Sequence, residues 1–171
     1  MRMGTAGVFS RGMLVIRKAL AADVPQIRAL IRELAAYERA PAEAVATEES
    51  LLRDGFGAQP RFGCLMAEWQ GAVCGFALYF HNYSTWRGQR GMYLEDLFVR
   101  PAFRGKGAGK ALFVELARIA VAEGCGRFDW QVLDWNTPSI EFYLRLGAAS
   151  KKEWLSMRLE GEALERLARN G

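Results

Sequence analysis

The chain has 171 residues, of which 51% are hydrophobic and 25% are charged. These are the proportions of a globular protein with one domain of ordinary size, and they exclude a disordered or fibrous chain. The formal net charge is +4, and the Lys and Arg residues are scattered along the chain. A nucleic-acid-binding protein usually concentrates its basic residues in a patch, so this distribution argues against one.

The N-terminal segment and the cysteines indicate where the protein works. Residues 1–13 contain no apolar run typical of a signal peptide, and we interpret them as a leader without function that precedes a domain over 14–171. No segment reaches the roughly 18 apolar residues that a membrane span needs. Cys64, Cys74 and Cys125 form no C-x-x-C pair, which predicts reduced thiols, no bound metal and a cytoplasmic protein.

The first half of the chain predicts a strand, two helices and then strands. A β-prone run covers 14–17, and Asp23 is a suitable N-cap for the segment 24–38, where apolar side chains recur at helical spacing. Thr47 is placed to cap a shorter helix. Three further strands are predicted at 62–69, 73–80 and 92–99, joined by glycine-containing turns and therefore antiparallel.

In the second half helices alternate with strands, which predicts an α/β protein with a mixed sheet. After the fourth strand the apolar residues recur with the period of a helix, and Gly147 is suited to the C-terminal end of a helix. The predicted elements are a helix over 107–123, a strand over 128–133, a helix over 137–146, a last strand over 154–159 and a polar helix from 162.

A glycine-rich loop between a strand and a helix is the most informative motif. Its closely spaced glycines allow backbone N–H groups to turn toward an anion, and the helix N-terminus adds a positive dipole end. The loop is one residue too short for a P-loop, and Ala111 stands where the metal-binding hydroxyl of a P-loop would be. We therefore predict a diphosphate site formed by Arg104, Gly105, Lys106, Gly107, Ala108, Gly109 and Lys110.

This loop resembles the R/Q-x-x-G-x-G/A acetyl-coenzyme A loop of the GNAT N-acetyltransferase superfamily. The segments 93–99, 135–140 and 141–148 are similar to stretches of the diamine (spermidine/spermine) and thialysine acetyltransferases. The resemblance implies a GNAT fold, with a largely antiparallel sheet splayed between its fourth and fifth strands. It further implies an acetyl-CoA-dependent N-acetyltransferase that acts on a small primary amine as a homodimer.

The resemblance also implies catalytic and cofactor-binding residues. An alkylamine has a pKa near 10.4 and must lose a proton before it can attack a thioester. The family places the base, acting through ordered water, at Glu95 and a general acid at Tyr143. Strand alternation predicts that Leu94, Asp96 and Phe98 share the face opposite to Glu95. The further contacts to the cofactor are expected from Leu97, Phe98, Val99, Asn136, Ser139 and Tyr143.

The substrate residues that the resemblance implies leave the amine open. Ser84 stands where the diamine enzymes carry an aspartate, so polyamines, short diamines and thialysine-like amino acids all stay candidates. Acetylation of a protein lysine or N-terminus also stays open, and so does a non-catalytic acyl-CoA-binding module. His81 is expected to be a satisfied strand residue. The expected substrate-binding residues are Tyr37, Glu38, Trp86, Glu95, Asp96 and Glu153.

Overall fold

A computed structural model describes residues 14–170, and the predicted leader at 1–13 lies outside them. The chain forms two compact units that meet in sequence at Gln131 and Val132. The extent of the predicted domain over 14–171 stays a prediction.

The first unit contains a five-stranded sheet in the order β1-β2-β3-β4-β5. All neighbouring strands are antiparallel except β4 and β5, which are parallel. The predicted mixed α/β class is therefore confirmed. The strands are β1 Leu14–Lys18, β2 Gly63–Trp69, β3 Ala72–Ser84, β4 Gln89–Val99 and β5 Phe128–Trp130. The helices of this unit are α1 Val24–Tyr37, α2 Glu48–Phe56 and α3 Ala108–Ala122.

The second unit holds two helices, α4 Thr137–Arg145 and α5 Gly161–Arg169. The prediction of a strand over 154–159 is wrong, because the structure forms no strand there. Trp154 and Met157 are 68% and 87% exposed. Apolar residues with β propensity form a strand only where a neighbouring strand supplies hydrogen-bond partners, and none of the five described strands forms a ladder with this segment.

Helix α1 packs its apolar stripe on one face of the sheet. Ile27 and Leu30 are 1% and 0% exposed and belong to one core cluster with Phe76 and Leu78 of β3 and Phe98 of β4. Burial of each such side chain stabilises the fold by about 1.5–3 kcal/mol. The cluster fixes the end of α1 relative to β3 and β4, which is where several predicted site residues lie.

A β-bulge at Glu95 changes the pattern of β4. Leu94 pairs with Tyr79 and Asp96 pairs with Leu78, so Glu95 has no residue opposite it. Because Tyr79 and Leu78 are consecutive in β3, their side chains point to opposite faces of the sheet. Their partners Leu94 and Asp96 therefore point to opposite faces as well. The prediction that Leu94 and Asp96 share a face is therefore wrong. The extra residue in the bulge interrupts the alternation on which that prediction depended.

The sheet opens between β4 and β5. Their ladder covers three pairs, from Met92 with Phe128 to Leu94 with Trp130, whereas β4 continues to Val99. The fifth strand is thus shorter than the predicted range of 128–133. Along the segment 95–99 none of the described strands lies beside β4 on this side, which confirms the predicted splay.

Asp23 has a different role from the predicted one. Its side chain makes no capping bond to α1. Instead its carboxylate accepts hydrogen bonds from the Leu20 N–H at 2.7 Å and from both terminal nitrogens of Arg17 at 2.7 and 2.8 Å. The Arg17 side chain also donates to Glu68 at 2.7 Å, so these bonds tie the start of the first helical segment to β1 and β2.

We expect Asp23→Asn to destabilise the protein by about 1–3 kcal/mol at pH 7, because charged hydrogen bonds are lost. Arg17 holds the pKa of Asp23 below its usual value. The contribution of Asp23 is therefore complete above its unfolded pKa of about 3.9 and disappears as the pH falls through the lower folded value. Urea unfolding between pH 3 and 7 should show the parent and the variant converging in acid. Asp54→Asn, which removes an exposed ion pair with Arg53, is the matched control and should cost less.

Candidate active site

The glycine-rich loop has the backbone conformation that an anion site needs. Gly105 and Gly107 have φ values of 76° and 90°, which L side chains rarely adopt, and a Cβ added at either would meet nothing within 4 Å. Gly107 is the N-cap of α3, and none of the described side chains caps this helix. The first-turn N–H groups of α3 are therefore open toward the loop, at the positive end of the helix dipole. A diphosphate such as that of coenzyme A fits this donor set.

The cations of the loop lie against aromatic rings. The Arg104 guanidinium lies 4.7 Å from the centroid of the Tyr37 ring, and its Nε donates a hydrogen bond to the Val99 carbonyl at 3.0 Å. The Lys106 ammonium lies 5.1 Å from the centroid of the Trp69 ring. Arg104 thus connects the loop to the end of α1. The predicted contacts of Arg104, Lys106 and Lys110 with phosphate stay predictions.

The segment Leu97, Phe98 and Val99 lies at the open edge of β4. Leu97 pairs with Ala77 and Phe98 with Phe76 on the β3 side. Since β5 has ended, the opposite edge of this segment can accept an added strand or an extended ligand.

An acidic group lies beside this edge. Asp96 is partly buried on the face that carries α1, whereas Glu95 is exposed at the bulge. Burial, followed by the charges of Glu95 and Glu38, raises the pKa of Asp96 to about 7. Burial also raises the pKa of Glu38, which follows Tyr37 at the end of α1. The structure therefore brings together Tyr37, Glu38, Glu95 and Asp96, and their role in binding the substrate stays a prediction.

Trp86 is separate from that group. It lies in the turn between β3 and β4 and is 88% exposed. The turn is roughly 20 Å along the strand from Glu95 at 3.4 Å per residue. Ser84 is 8% exposed, and its hydroxyl accepts a hydrogen bond from the Arg87 N–H at 3.3 Å. Only an elongated amine would reach from the acidic group to this turn.

The remaining predicted residues belong to the second unit. The Asn136 side chain caps α4 by accepting a hydrogen bond from the Ser139 N–H at 3.4 Å. Tyr143 is partly buried in the same helix, with its ring centroid 5.2 Å from that of Phe142. Gly147 ends α4 with φ of 90°, as predicted. Glu153 is exposed, with its carboxylate 3.9 Å from the Lys151 ammonium.

His81 is a satisfied strand residue, as predicted. Its Nε2 lies 2.7 Å from the Glu123 carboxylate. With Cys125 these side chains place three potential metal ligands within 4.8 Å of one another. None of the helices in the described part of the chain is long and apolar enough to cross a membrane.

Two features of the site were not predicted from the sequence. The contact of Arg104 with Tyr37 joins residues that are far apart in the chain, and the sequence linked Arg104 only to phosphates. The burial of Asp96 depends on the bulge, and adjacent acids in an otherwise apolar strand were the single hint.

Residues 27–148 match the model of the acetyltransferase (GNAT) family. The chain belongs to the GNAT acetyltransferase family. The predicted family and the predicted enzyme class are thereby confirmed, and the loop before α3, the bulged β4 and the splay beyond Leu94 are elements of a GNAT acetyltransferase domain.

Similar proteins cover nearly the whole GNAT domain. The chain is 42% identical over 166 residues to the thialysine N-epsilon-acetyltransferase of Sus scrofa. The alignment covers 91% of this chain and 97% of that protein. It is 38% identical over 159 residues to the spermidine/spermine N(1)-acetyltransferase-like protein 1 of Homo sapiens, covering 87% of this chain and 23% of that protein. Among solved structures, an integron cassette protein from V. cholerae matches with a TM-score of 0.78 and 29% identity, covering 92% and 98% of the two chains.

Proposed function

We propose that this GNAT protein transfers the acetyl group of acetyl-CoA to a primary amine of a small molecule. The candidate amines are polyamines, short diamines and thialysine-like amino acids. The observation that carries the proposal is the acidic group of Glu38, Glu95 and Asp96 beside the open edge of β4, next to a loop with open helix-terminal N–H groups. Carboxylates gathered in this way attract an ammonium ion, and the loop suits a diphosphate.

Several residues would hold acetyl-CoA, which supplies the activated acetyl group. The N–H groups of the loop at 105–110 bind the diphosphate, with Lys110 and the other loop cations adding charge. Leu97, Phe98 and Val99 present backbone groups to the extended pantetheine arm along the open edge of β4. Asn136 and Ser139 contribute contacts from the start of α4.

The proposed chemistry is two proton transfers around one displacement. One carboxylate of the pair Glu95 and Asp96 takes a proton from the substrate ammonium. The family resemblance assigns this role to Glu95, acting through water. The neutral amine attacks the thioester. Tyr143 donates its phenolic proton to the departing thiolate, since a phenol with a pKa near 10 is a suitable acid for a thiolate.

The substrate is bound at the acidic group and along the β3–β4 hairpin. Tyr37 and Glu38 hold the amine at the end of α1, and Trp86 contacts its distal part. Glu153 is a further proposed substrate-binding residue. The names of the relatives, which are thialysine and spermidine/spermine-type acetyltransferases, support this class of amine. We further propose that the protein is cytoplasmic and acts as a homodimer.

The decisive experiment measures coenzyme A release with purified protein and acetyl-CoA against a panel of amines. The panel contains spermidine, putrescine, thialysine, lysine, a lysine-containing peptide and a monoamine. Turnover with one of the small amines and none with the peptide supports the proposal. Turnover with the peptide alone favours a protein acetyltransferase. Affinity for coenzyme A without any turnover favours a non-catalytic binding module.

We expect Glu38→Gln to raise the KM for diamines about tenfold and the KM for the monoamine by less. The second ammonium of a diamine gains most from an additional carboxylate, and a tenfold change corresponds to about 1.4 kcal/mol. Steady-state kinetics with both amines test this result. Glu43→Gln, an exposed acid beyond the end of α1, is the control. Equal effects of Glu38→Gln on both amines would contradict the assignment.

A further inference from the structure

Three side chains of different chemistry meet at the C-terminal end of α3. They are the His81 imidazole on β3, the Glu123 carboxylate just after α3 and the Cys125 thiol in the segment before β5. Their ligand atoms lie within 4.8 Å of one another, and His81 Nε2 is 2.7 Å from the Glu123 carboxylate. The expectation of no bound metal depended on cysteine spacing, which cannot reveal ligands that the fold gathers from separate segments.

The backbone holds Glu123 and Cys125 in fixed positions at this helix end. Gly124 between them has φ of 70°, and the Cys125 N–H donates to the Ala120 carbonyl at 2.8 Å, which is the Schellman arrangement of a helix C-terminus. The residue after Cys125 donates its N–H to the Arg90 carbonyl of β4 at 2.9 Å. These backbone bonds leave both side chains available to a ligand.

His81 is held from the sheet side. It pairs with Met92 in the antiparallel ladder, and its ring contacts the ring of Tyr79 edge-on, with centroids 6.2 Å apart. The side chains of His81 and Glu123 are nevertheless 34% and 38% exposed. A metal ion can therefore reach the three ligands from solvent and keep a water molecule in a fourth position.

The chemistry of the three ligands favours a divalent transition metal. Imidazole nitrogen and thiolate sulfur bind Zn²⁺ and related ions, whereas Mg²⁺ and Ca²⁺ take oxygen ligands. Metal binding removes the thiol proton, so one carboxylate and one thiolate balance the two positive charges of the ion. The negative end of the α3 dipole also favours a cation. The positive charge of Arg90 acts on Cys125 and opposes the ion, but it is smaller than the combined charge of the two anionic ligands.

Only small movements of the side chains are needed. Bonds to zinc of about 2.0–2.1 Å from nitrogen or oxygen and about 2.3 Å from sulfur place tetrahedral ligand atoms roughly 3.3–3.7 Å apart. His81 Nε2 and the Glu123 oxygen, now 2.7 Å apart, would separate slightly as the metal replaces the proton between them. Atoms that lie within 4.8 Å of one another need only side-chain rotations to close on the ion.

We propose that His81, Glu123 and Cys125 bind Zn²⁺ or a similar divalent transition metal, and that the bound ion ties the end of α3 to β3. The site is separate from the glycine-rich loop, because α3 has 15 residues, spans about 22 Å and carries that loop at its other end. The ion therefore acts on the stability of the fold. A ligand that binds only the folded protein raises its free energy of unfolding.

The test titrates chelator-treated, reduced protein with Zn²⁺ in a calorimeter. We expect one ion per chain, an increase in melting temperature with Zn²⁺, and neither effect with Mg²⁺. Cys125→Ala and Glu123→Gln should each weaken Zn²⁺ binding about a hundredfold or more, since even outer contacts of a metal ligand are worth about 10- to 100-fold. Cys74→Ala, which removes a buried thiol outside the cluster, is the control and should bind like the parent. Zn²⁺ affinity that is equal in the parent and both cluster variants overturns the proposal.

Co²⁺ reports the ligands directly and is the second measurement. Tetrahedral Co²⁺ absorbs strongly in the visible range, and a thiolate ligand adds a charge-transfer band in the near ultraviolet. We expect both features in the parent, and Cys125→Ala should lose the charge-transfer band while it keeps the melting temperature of the metal-free parent. A parent protein without that band would overturn the proposal. Neither measurement requires acetyl transfer, so failure of the proposed enzymatic function would leave this result unaffected.

Discussion

Tyr143→Phe is expected to lower turnover by a factor of about 10²–10⁴, the usual effect of removing an effective general acid. The substitution deletes only the hydroxyl group. The Tyr143 ring packs beside Phe142, and its backbone carbonyl accepts hydrogen bonds from the Leu146 and Ala148 N–H groups at the end of α4. Phenylalanine preserves the ring and these backbone bonds, so α4 should form unchanged. Steady-state coenzyme A release at saturating amine measures the effect.

The matched control for this variant is Tyr83→Phe. Tyr83 lies on β3 and is 62% exposed, and no role in the reaction is assigned to it. Its loss of a hydroxyl should leave turnover within a factor of about two. Parent-like turnover in Tyr143→Phe would remove Tyr143 from the mechanism. Equal losses in both variants would indicate a general effect on the fold.

Gly107→Val is expected to weaken coenzyme A binding about tenfold or more. Gly107 has φ of 90° and forms the N-cap of α3, so a β-branched residue can be accommodated only if the loop changes its backbone conformation. That change turns the first N–H groups of α3 away from the diphosphate. A tenfold loss of affinity corresponds to about 1.4 kcal/mol. Titration calorimetry with coenzyme A measures it without requiring an amine.

The opposite end of the same helix provides the control. Gly124 follows α3 with φ of 70°, and a Cβ added there also meets nothing within 4 Å. Gly124→Val therefore imposes a similar backbone strain on folding, far from the loop. Both variants should lose comparable thermal stability, and only Gly107→Val should lose affinity. A parent-like dissociation constant for Gly107→Val would show that the loop does not hold the diphosphate.

Local signals in the sequence were sufficient for most of the first unit. The apolar period of 24–38 predicted α1, which spans Val24–Tyr37, and the turn at Gln70 and Gly71 separated β2 from β3. The glycine spacing predicted a loop whose backbone N–H groups can turn inward, which the positive φ values of Gly105 and Gly107 permit, and the apolar period predicted the helix that follows. In these segments the residue that determines the conformation lies within the segment itself.

Features that depend on distant partners could not be predicted in this way. The segment 154–159 has the composition of a strand, but pairing requires a neighbour that composition does not reveal. The bulge at Glu95 arises from the register between β3 and β4, and this register cannot be deduced from the residues near Glu95 in the sequence. As a result the sequence identified both Glu95 and Asp96 as site residues, but misjudged the position of Asp96 relative to Leu94.

The extra residue at position 95 also determines which changes of length the β3–β4 hairpin can tolerate. Deleting the unpaired residue would give a regular ladder in which Leu94 still pairs with Tyr79 and Asp96 with Leu78, so these side chains would keep their present faces. Met92 and Leu94, which are 0% and 2% exposed, would stay in the core they now occupy. A homologous chain that lacks this residue can therefore keep the same core, and it would lose the local bend and twist that a bulge gives to its strand.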